Sequence, residues 1–463
     1  MTMTDKARNT AASPASGPST ETLLPLAESL LKRAMAAGAD AAEVILGEAR
    51  SLEVSVREGA LEDVERSEGR SAGLRVFIGK RMAGTSFSDL TDEGASLAVE
   101  RAIAMARVAP EDPYCGLVEP DQLARTIPHI DLYENMDWDA GALEAEALEM
   151  EAAGRAVDGV AMIASSGASL SASAAVMVTS TGFTGAKLGS MASRGIAAIA
   201  KSGELMERDY DQHSMRQRAA LRSAEELGRS AGERAVARLG AEKMKSGKMP
   251  VVFDERVATS FLGALLGAIS GPSIARGTSF LRDKNGAQIF AEGIDIVEDP
   301  LKPWGHGSRA FDGEGVATRP RAIIEDGVLT GWLLNAASAR QLGLPLTGHA
   351  SADPGGPPGV SVSNLHLAPG ERSRAELIAD AGNGLLVTEM FGASLNSNTG
   401  DWSVGVAGHR IENGKITGAI SESTVAGNML DIFARLQPGS DLEFSGRINA
   451  PSVLVDALSV GGR

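Results

Sequence analysis

The first part of the chain switches from a helical to a strand-like period of hydrophobic residues. Leu and Ala recur at helical spacing over 23–34 and Gly38 follows, so an amphipathic helix ending near that glycine is predicted. Strand-like patterns come next, and a second helical pattern closes the segment. The strand-like patterns cover residues 42–46, 52–56, 61–65, 73–78 and 82–87, and the second helix covers 91–108. Residues 22–110 therefore predict an α-β-β-β-β-α domain with a mostly antiparallel sheet.

A second unit, residues 134–240, follows a proline-rich connector. Helical patterns stand at its two ends, and strands rich in Ala, Ser and Gly lie between them. The predicted helices cover 140–157 and 223–239, and the predicted strands cover 159–166, 169–179 and 185–199.

The third unit, residues 247–463, is predicted to be rich in strands. It opens with a short apolar strand over 249–253, and an apolar helix follows from Glu255 to about Ile269. Asn-Gly and Asp-Gly pairs between strand-like runs predict hairpins, at Asn285-Gly286, Asp326-Gly327 and Asn413-Gly414. The whole chain is thus predicted to be α+β, with N-terminal α/β units on an antiparallel sheet before a β-rich C-terminal domain.

Composition restricts the classes of partner. The chain has 463 residues, with 44 basic and 60 acidic ones, for a net charge of −16. Such a surface repels nucleic acid and anionic membranes, and no apolar run reaches the length of about 18 residues that a membrane helix needs. Residues 1–20, rich in Ser, Thr, Ala and Pro, are expected to be a disordered tail rather than a signal peptide. A single cysteine, Cys115, suits the cytoplasm.

The six histidines are too widely spaced for a zinc site carried by one helix. The nearest two, His349 and His366, are 17 positions apart, whereas a helical zinc hydrolase site needs two histidines about one turn apart beside a glutamate. An atypical site assembled in space from His306, His349, His366 and His409 remains an alternative. Asp254 and Glu255 precede the apolar helix, where carboxylates stabilise the helix dipole, and this interpretation is favoured over a catalytic pair.

Several ordered segments resemble the TldD/PmbA family, in its PmbA or TldE branch. The resemblance covers about residues 22–463, and it rests on the number and order of the matching segments. They are FDERVATSFLGALLGAISGPSIARGTSFL at 253–281, FDGEGV at 311–316, TGHA at 347–350, TGD at 399–401, VAGN at 425–428 and PSVLV at 451–455.

The resemblance implies a function and a division of labour. TldD-type subunits bind zinc through a HExxxH helix and a downstream cysteine, whereas PmbA-type subunits lack these ligands and pair with TldD-type subunits. The pair is a cytoplasmic protease of flexible peptides, formerly described as a modulator of DNA gyrase. Here the helix near residues 255–269 has no histidine, and no cysteine follows Cys115. We therefore expect no catalytic residue, metal ligand or cofactor in this chain, and zinc only in a TldD-like partner.

The function predicted from the sequence is that of a non-catalytic subunit that holds flexible peptides. Candidates for a peptide groove are Asp209, Tyr210, His306, His349, Asp401 and His409. The alternatives are a stand-alone peptidase with an atypical metal site and a homodimeric scaffold that binds peptides. Neither nucleic acid nor a membrane is an expected partner.

Overall fold

The computed structural model describes residues 17–463. The predicted tail, residues 1–20, lies almost wholly outside this range. Within it, no helix is both long and apolar enough to cross a membrane.

The N-terminal half is built on six antiparallel strands and four helices. The elements in chain order are α1 Thr20–Ala36, β1 Ala41–Arg57, β2 Ala60–Ile78, β3 Arg81–Phe87, α2 Asp92–Val108, α3 Ala140–Arg155, β4 Val160–Thr179, β5 Thr184–Ser202, β6 Leu205–Met215 and α4 Ala224–Ala237. The strands form one sheet in the order β3-β2-β1-β4-β5-β6, which curves into half of a barrel. Because β1 pairs with β4, the segments 22–110 and 134–240 contribute three strands each to this single sheet.

The helices cover one face of this sheet in two pairs. Val44 and Leu46 of β1 belong to the hydrophobic core under α1 and α2, whereas Val56 belongs to the core under α3 and α4. Between them, Glu48 and Arg50 interrupt the apolar face, and Leu52 and Val54 are buried in a further cluster with Leu143 of α3. The opposite face carries small and polar residues such as Ser55, Ser193 and Gly195.

Three of the predicted divisions between strand-like patterns are absent from the structure. The patterns at 42–46 and 52–56 lie in the single strand β1. The patterns at 61–65 and 73–78 lie in the single strand β2, so the first unit has three strands rather than four. The intervening residues are exposed and carry no hydrophobic signal, although they pair with β1. Likewise 159–166 and 169–179 form the single strand β4. Strand β6 was not predicted, because its buried positions include the charged residues Asp209 and Asp211.

The C-terminal domain contains a closed barrel and short peripheral strands. Its elements are β7 Gly247–Phe253, α5 Glu255–Ala268, α6 Gly271–Ala275, β8 Ile296–Glu298, β9 Arg321–Glu325, β10 Val328–Leu329, α7 Ala336–Leu342, β11 Ala350–Ser351, β12 Gly359–Val360, β13 Leu365–Leu367, α8 Arg374–Ala381, β14 Gly384–Leu395, β15 Asp401–Glu412, β16 Lys415–Asn428, α9 Met429–Arg435, β17 Gln437–Pro438, β18 Ile448–Asn449 and β19 Val453–Gly461. Strands β16, β15, β14, β7 and β19 follow one another, and pairing of β16 with β19 closes the ring. The predicted α+β class with a β-rich C-terminal domain is confirmed.

Helix α5 is the buried apolar helix that the sequence predicts. Its side chains Phe261, Leu262 and Leu265 are almost fully buried, and the Phe261 ring packs edge-on against Phe253, with 4.8 Å between centroids. Asp254 is its N-cap and accepts a hydrogen bond from the backbone of Arg256. The packing therefore fixes the direction in which the first turn of α5 projects toward the N-terminal half.

The predicted hairpins have mixed outcomes. Those at Asp326-Gly327 and Asn413-Gly414 are confirmed, and all four residues have the positive φ that such turns need. The hairpin predicted at Asn285-Gly286 is wrong. The segments on either side of it do not pair with each other, because the backbone of Gly286 donates to the Leu329 carbonyl and Gln288 bridges to Val328 instead.

Candidate functional site

A polar cleft lies where the N-terminal sheet meets the first turn of α5. Two neighbouring cavities, of about 240 and 390 Å³, share the residues Arg234, Glu255, Arg256 and Glu443. We call them together the interdomain cleft. Its charged and aromatic lining consists of Asp209, Tyr210, Asp211, His213, Arg222, Arg234, Arg238, Asp254, Glu255, Arg256, Arg374, His409, Asp441 and Glu443.

Asp209 joins the two halves of the molecule within the cleft. This carboxylate on β6 is only 4 % exposed, and it accepts a hydrogen bond at 3.0 Å from the guanidinium of Arg256 on α5. Arg238, which follows α4, approaches the same carboxylate at 3.5 Å and also pairs with Glu389 of β14. The Arg256 guanidinium lies over the Tyr210 ring, 4.8 Å from its centroid, so the aromatic face also holds this cation.

Two adjacent carboxylates at the start of α5 have opposite pKa shifts. Burial raises the pKa of Glu255 to about 7, and the negative charge of Asp254 contributes to the increase. Burial would also raise the pKa of Asp254, but a hydrogen bond with Glu255 and the charge of Arg374 lower it below its usual value. The Asp254 carboxylate lies 2.6 Å from Arg374 of α8. Glu255 is therefore a group that can exchange a proton near neutral pH.

The cleft has two histidines, His213 and His409. His213 accepts a hydrogen bond from the backbone of Arg222 through Nδ1, whereas His409 lies nearer Asp254 and Arg374. His409 lies on β15, and burial together with the nearby charges of Arg374 and Arg238 lowers its pKa. The imidazole is therefore neutral at pH 7, and it can accept or donate a hydrogen bond to a bound group.

The cleft does not fit a zinc ion. A catalytic zinc site requires three clustered protein ligands, usually including two or more imidazoles, whereas His409 faces arginines and carboxylates that already pair with arginines. Guanidinium groups so close would repel a divalent cation. No group of three His, Cys, Asp or Glu suited to a metal occurs anywhere in residues 17–463. His306, His349, His366 and His409 do not converge in that part of the chain.

The structure brings three of the six predicted groove residues together in the cleft, namely Asp209, Tyr210 and His409. His306 lines a smaller neighbouring cavity and bonds to the Ser214 carbonyl at 2.7 Å.

The other two predicted groove residues lie elsewhere. His349 is buried, with its Nε2 2.7 Å from the carboxylate of Glu298. Asp401 is exposed at the start of β15, where Thr399 and Asn428 bond to its carboxylate.

The sequence did not identify the arginines of the cleft or the special position of Glu255. Arg238, Arg256 and Arg374 come from three helical regions far apart in the chain. No periodicity predicts that they converge. The one available signal was Asp254-Glu255, two adjacent carboxylates before an apolar helix. Helix capping explains Asp254, but it leaves Glu255 without an assigned role.

Three domain models of one protein family together match almost all of the described chain. Residues 42–106 match the PmbA/TldA metallopeptidase domain 1, residues 133–239 its central domain, and residues 246–462 its C-terminal domain. The metalloprotease PmbA of Escherichia coli O157:H7 is 34% identical over 428 residues, which cover 92% of this chain and 93% of that protein. The chain belongs to the PmbA/TldD metallopeptidase family.

Further relatives agree with this membership. The PmbA homolog of Haemophilus influenzae is 33% identical over 430 residues, covering 92% of this chain and 93% of that protein. A putative modulator of DNA gyrase from Bacteroides thetaiotaomicron has the same fold, with a TM-score of 0.87, 24% identity and coverage of 96% of this chain and all of that one. TldE from Thermococcus kodakarensis superposes with a TM-score of 0.84 at 22% identity, over 94% of this chain and 100% of that one.

Proposed function

We propose that this chain is the PmbA/TldE-like, non-catalytic subunit of a cytoplasmic TldD/TldE-type zinc protease that degrades flexible peptides. The observation that carries the proposal is the composition of the interdomain cleft at the start of α5. Guanidinium–carboxylate pairs occupy the place where a helix-borne zinc site would need imidazoles. Zinc and the activated water would come from a TldD-like partner.

The proposed contribution of this chain is to hold the peptide. Strand β6 is the last strand of its sheet and pairs on one side with β5. An extended peptide can add to such an edge through backbone hydrogen bonds, which are independent of sequence. The adjoining arginines and Tyr210 of the cleft can then bind carbonyl groups and side chains of the same peptide.

Metal analysis and cleavage assays test this proposal together. The purified chain is dialysed against zinc, and bound metal is measured by mass spectrometry. An unstructured peptide with a fluorophore and a quencher is then offered to the chain alone, to a TldD-type subunit alone, and to the mixture. We expect zinc in the TldD-type subunit and cleavage by the mixture, without stoichiometric zinc or cleavage in this chain alone.

Other outcomes would identify the rival functions. Stoichiometric zinc and cleavage by this chain alone would refute the proposal in favour of a stand-alone peptidase. A stable homodimer that binds the peptide but neither pairs with the TldD-type subunit nor supports cleavage would instead indicate a scaffold.

Arg256→Ala isolates the contribution of the cleft. It removes the cation that joins Asp209 and Tyr210, so cleavage by the mixture is expected to fall at least about tenfold, as for loss of a charge-assisted hydrogen bond. Arg229→Ala, on the exposed side of α4, is the matched control and should leave cleavage unchanged.

A further inference from the structure

A loop over residues 311–316 joins the C-terminal domain to the N-terminal half outside the interdomain cleft. It has the sequence FDGEGV, and none of its residues lines that cleft. Its Phe311 ring meets Phe183, which follows β4, with 5.0 Å between the centroids. Its Gly315 carbonyl accepts a hydrogen bond at 2.9 Å from the backbone of Ala124 in the connector. We call this contact the FDGEGV joint.

A second segment of the C-terminal domain, residues 350–356, packs beside this loop. The backbone of Gly313 donates to the Ala350 carbonyl at 2.8 Å. Farther along the segment, Gly355 lies against the edge of the N-terminal sheet. A β-carbon at Gly84 of β3 would collide with the Gly355 carbonyl, so the two backbones approach as closely as glycine permits. The two halves are therefore packed backbone against backbone next to the FDGEGV joint.

Three carboxylates are buried at this joint, and they differ in how well their charge is compensated. They are Glu43, Asp312 and Glu314, each at most 6 % exposed. Glu43 of β1 lies opposite Arg75 of β2 and binds its guanidinium at 2.7 Å. Asp312 accepts three backbone hydrogen bonds, and the positive charges of Arg309 and Lys187 act on it. Burial raises the pKa of Asp312, but these hydrogen bonds oppose the increase. Both carboxylates therefore have partners for their ionised form.

Glu314 has the weakest compensation of the three. Among the described residues it forms no ion pair, and its carboxylate has a single hydrogen-bond donor, the backbone of Ala336 at 2.7 Å. Arg75 attracts it, but that guanidinium pairs with Glu43. A buried carboxylate with so few donors is costly to ionise. Burial raises the pKa of Glu314 to about 7, the charge of Arg75 opposes this increase, and the charges of Asp312 and Glu43 add to it.

The other elements around the loop contribute apolar groups or groups with partners elsewhere. In the connector, Val118 packs with Val316. On α7, the Arg340 guanidinium donates to three carbonyls of the connector. In the segment 350–356, Asp353 is exposed. The charge that acts on Glu314 therefore comes mainly from its own loop and from β1 and β2.

We propose that the FDGEGV joint is a pH-dependent latch between the N-terminal sheet and the C-terminal domain. The latch is closed while Glu314 holds a proton. It opens locally when that proton leaves for the solvent, because the ionised carboxylate gains hydration in the open arrangement. The latch lies outside the interdomain cleft, and it does not depend on the proposed subunit role.

The direction of the pH dependence follows from the protonation of Glu314 in the two arrangements. In the open joint the side chain reaches water and has the ordinary pKa of about 4.3, whereas the closed joint raises that pKa. The closed joint therefore binds the proton more tightly. This stabilisation is complete below about pH 4.3, declines as the pH rises, and is lost above about pH 7.

Amide hydrogen exchange of the full-length chain at pH 5.5 and pH 8 tests the proposal. The rates are corrected for the intrinsic pH dependence of exchange and are read over residues 311–318 and 350–360. We expect protection in both segments to fall at least about tenfold between the two pH values. Protection in β14 and β15 should change much less, because the opening is local.

Two variants assign the effect to the carboxylate. Glu314→Gln keeps the shape of the side chain but removes the titrating proton, so protection should be about equal at the two pH values. Glu43→Gln frees Arg75 to pair with Glu314, which can then ionise inside the closed joint, so the fall in protection should shrink. Glu292→Gln, at an exposed site of the same domain, is the matched control and should keep the full fall.

Constant protection in the unmodified chain would overturn the proposal, and so would a full fall in Glu314→Gln or in Glu43→Gln. An equally large fall in β14 and β15 would also overturn it, because the pH would then weaken the whole chain rather than a latch. The unmodified chain and Glu43→Gln decide the question even if Glu314→Gln fails to fold.

Discussion

At the scale of single residues, burial and charge assign different roles to chemically similar groups. Asp254 and Glu255 are adjacent carboxylates, but the charge of Arg374 reaches Asp254 at 2.6 Å, whereas Glu255 has the Asp254 carboxylate as its neighbour. The first is held ionised, and the second gains or loses its proton near neutrality. The sequence places both at the start of a helix, but only the packing gives them different protonation states at neutral pH.

Glu255→Gln is expected to stabilise the protein above neutral pH. The folded-state pKa of Glu255 is raised to about 7, so the folded chain holds a proton that the unfolded chain releases near pH 4.3. Stability therefore falls as the pH rises through this window. Removal of the charge should increase the free energy of unfolding at pH 8 by about 1–3 kcal/mol, with little change at pH 4. Urea denaturation at the two pH values measures this.

Glu65→Gln, an exposed residue of β2, serves as the control and should have similar effects at both pH values. If Glu255→Gln were neutral or destabilising at pH 8, the buried charge would not be costly and the assigned pKa direction would be wrong.

Glu298 and His349 form a buried pair that contributes to stability. Both side chains are about 3 % exposed, and they meet at 2.7 Å. Glu298 also accepts hydrogen bonds from the backbone and hydroxyl of Ser363. Burial opposes ionisation of Glu298, but the hydrogen bond and charge of His349 lower its pKa below the ordinary value.

Glu298→Ala should destabilise the chain by about 3–5 kcal/mol, because it leaves buried donors without a partner. The contribution of Glu298 is present above pH 4.3 and is lost as the pH falls through its lowered folded-state pKa. Thermal denaturation of the variant at pH 7 gives the size of the effect. A loss below 1 kcal/mol would show that water replaces the carboxylate, whereas Glu325→Ala, on an exposed site, should cost little.

At the scale of elements, the sequence pattern predicted helices better than it predicted strands. The helices have one continuous apolar stripe each, so α1, α2, α3, α4 and α5 were found within a few residues of their observed bounds. The long strands change neighbours along their length. Thus β2 is exposed over its first twelve positions and buried only from Ala72. The hydrophobic pattern of the sequence therefore indicates only the buried part of this strand.

Only part of the candidate site could be predicted from the sequence, because the rest depends on tertiary contacts that leave no hydrophobic pattern. Asp209, Tyr210 and His409 were predicted as groove residues because they are polar or aromatic, and they do line the cleft. Arg238 and Arg374 could not be predicted, since charged residues on helices are usually solvated and their role here depends on tertiary contacts. Strand β6, which carries Asp209, was itself missed.

Helix α5 offers a test at the element scale. Phe261 is 2 % exposed and packs against Phe253 and Trp402, so Phe261→Ala should cost about 3–5 kcal/mol through lost burial and a residual cavity. Thr259→Ala, on the cleft side of the same helix, should stay within about 1 kcal/mol. Urea denaturation followed by tryptophan fluorescence measures both. Equal effects of the two changes would contradict the buried orientation of α5.

At the scale of the whole molecule, polar side chains fasten the connector and the N-terminal half to the C-terminal domain. Arg216 at the end of β6 donates to the carbonyls of Gly305 and His306, both at 2.8 Å. Arg340 of α7 donates to the carbonyls of Tyr114, Gly116 and Leu117 in the connector. Apolar contacts accompany these bonds, since Val118 of the connector packs with Val316 and Ala336. The arginines add hydrogen bonds to carbonyls that the apolar contacts leave without a donor.

Arg340→Ala should therefore release the connector without unfolding either half. The three carbonyls lose their donor, and amide hydrogen exchange over 109–134 is expected to speed up at least about tenfold, the effect of losing roughly 1.4 kcal/mol of local stability. Exchange in β14 and β15, at the core of the barrel, should stay unchanged because their hydrogen bonds are distant from Arg340. Arg340→Lys keeps the charge but loses the planar guanidinium fork. Its exchange rates in the connector should therefore lie between those of the unmodified chain and those of Arg340→Ala. Acceleration throughout the chain would mean instead that α7 has unfolded, and unchanged exchange in the connector would show that its own turns, rather than Arg340, hold it in place.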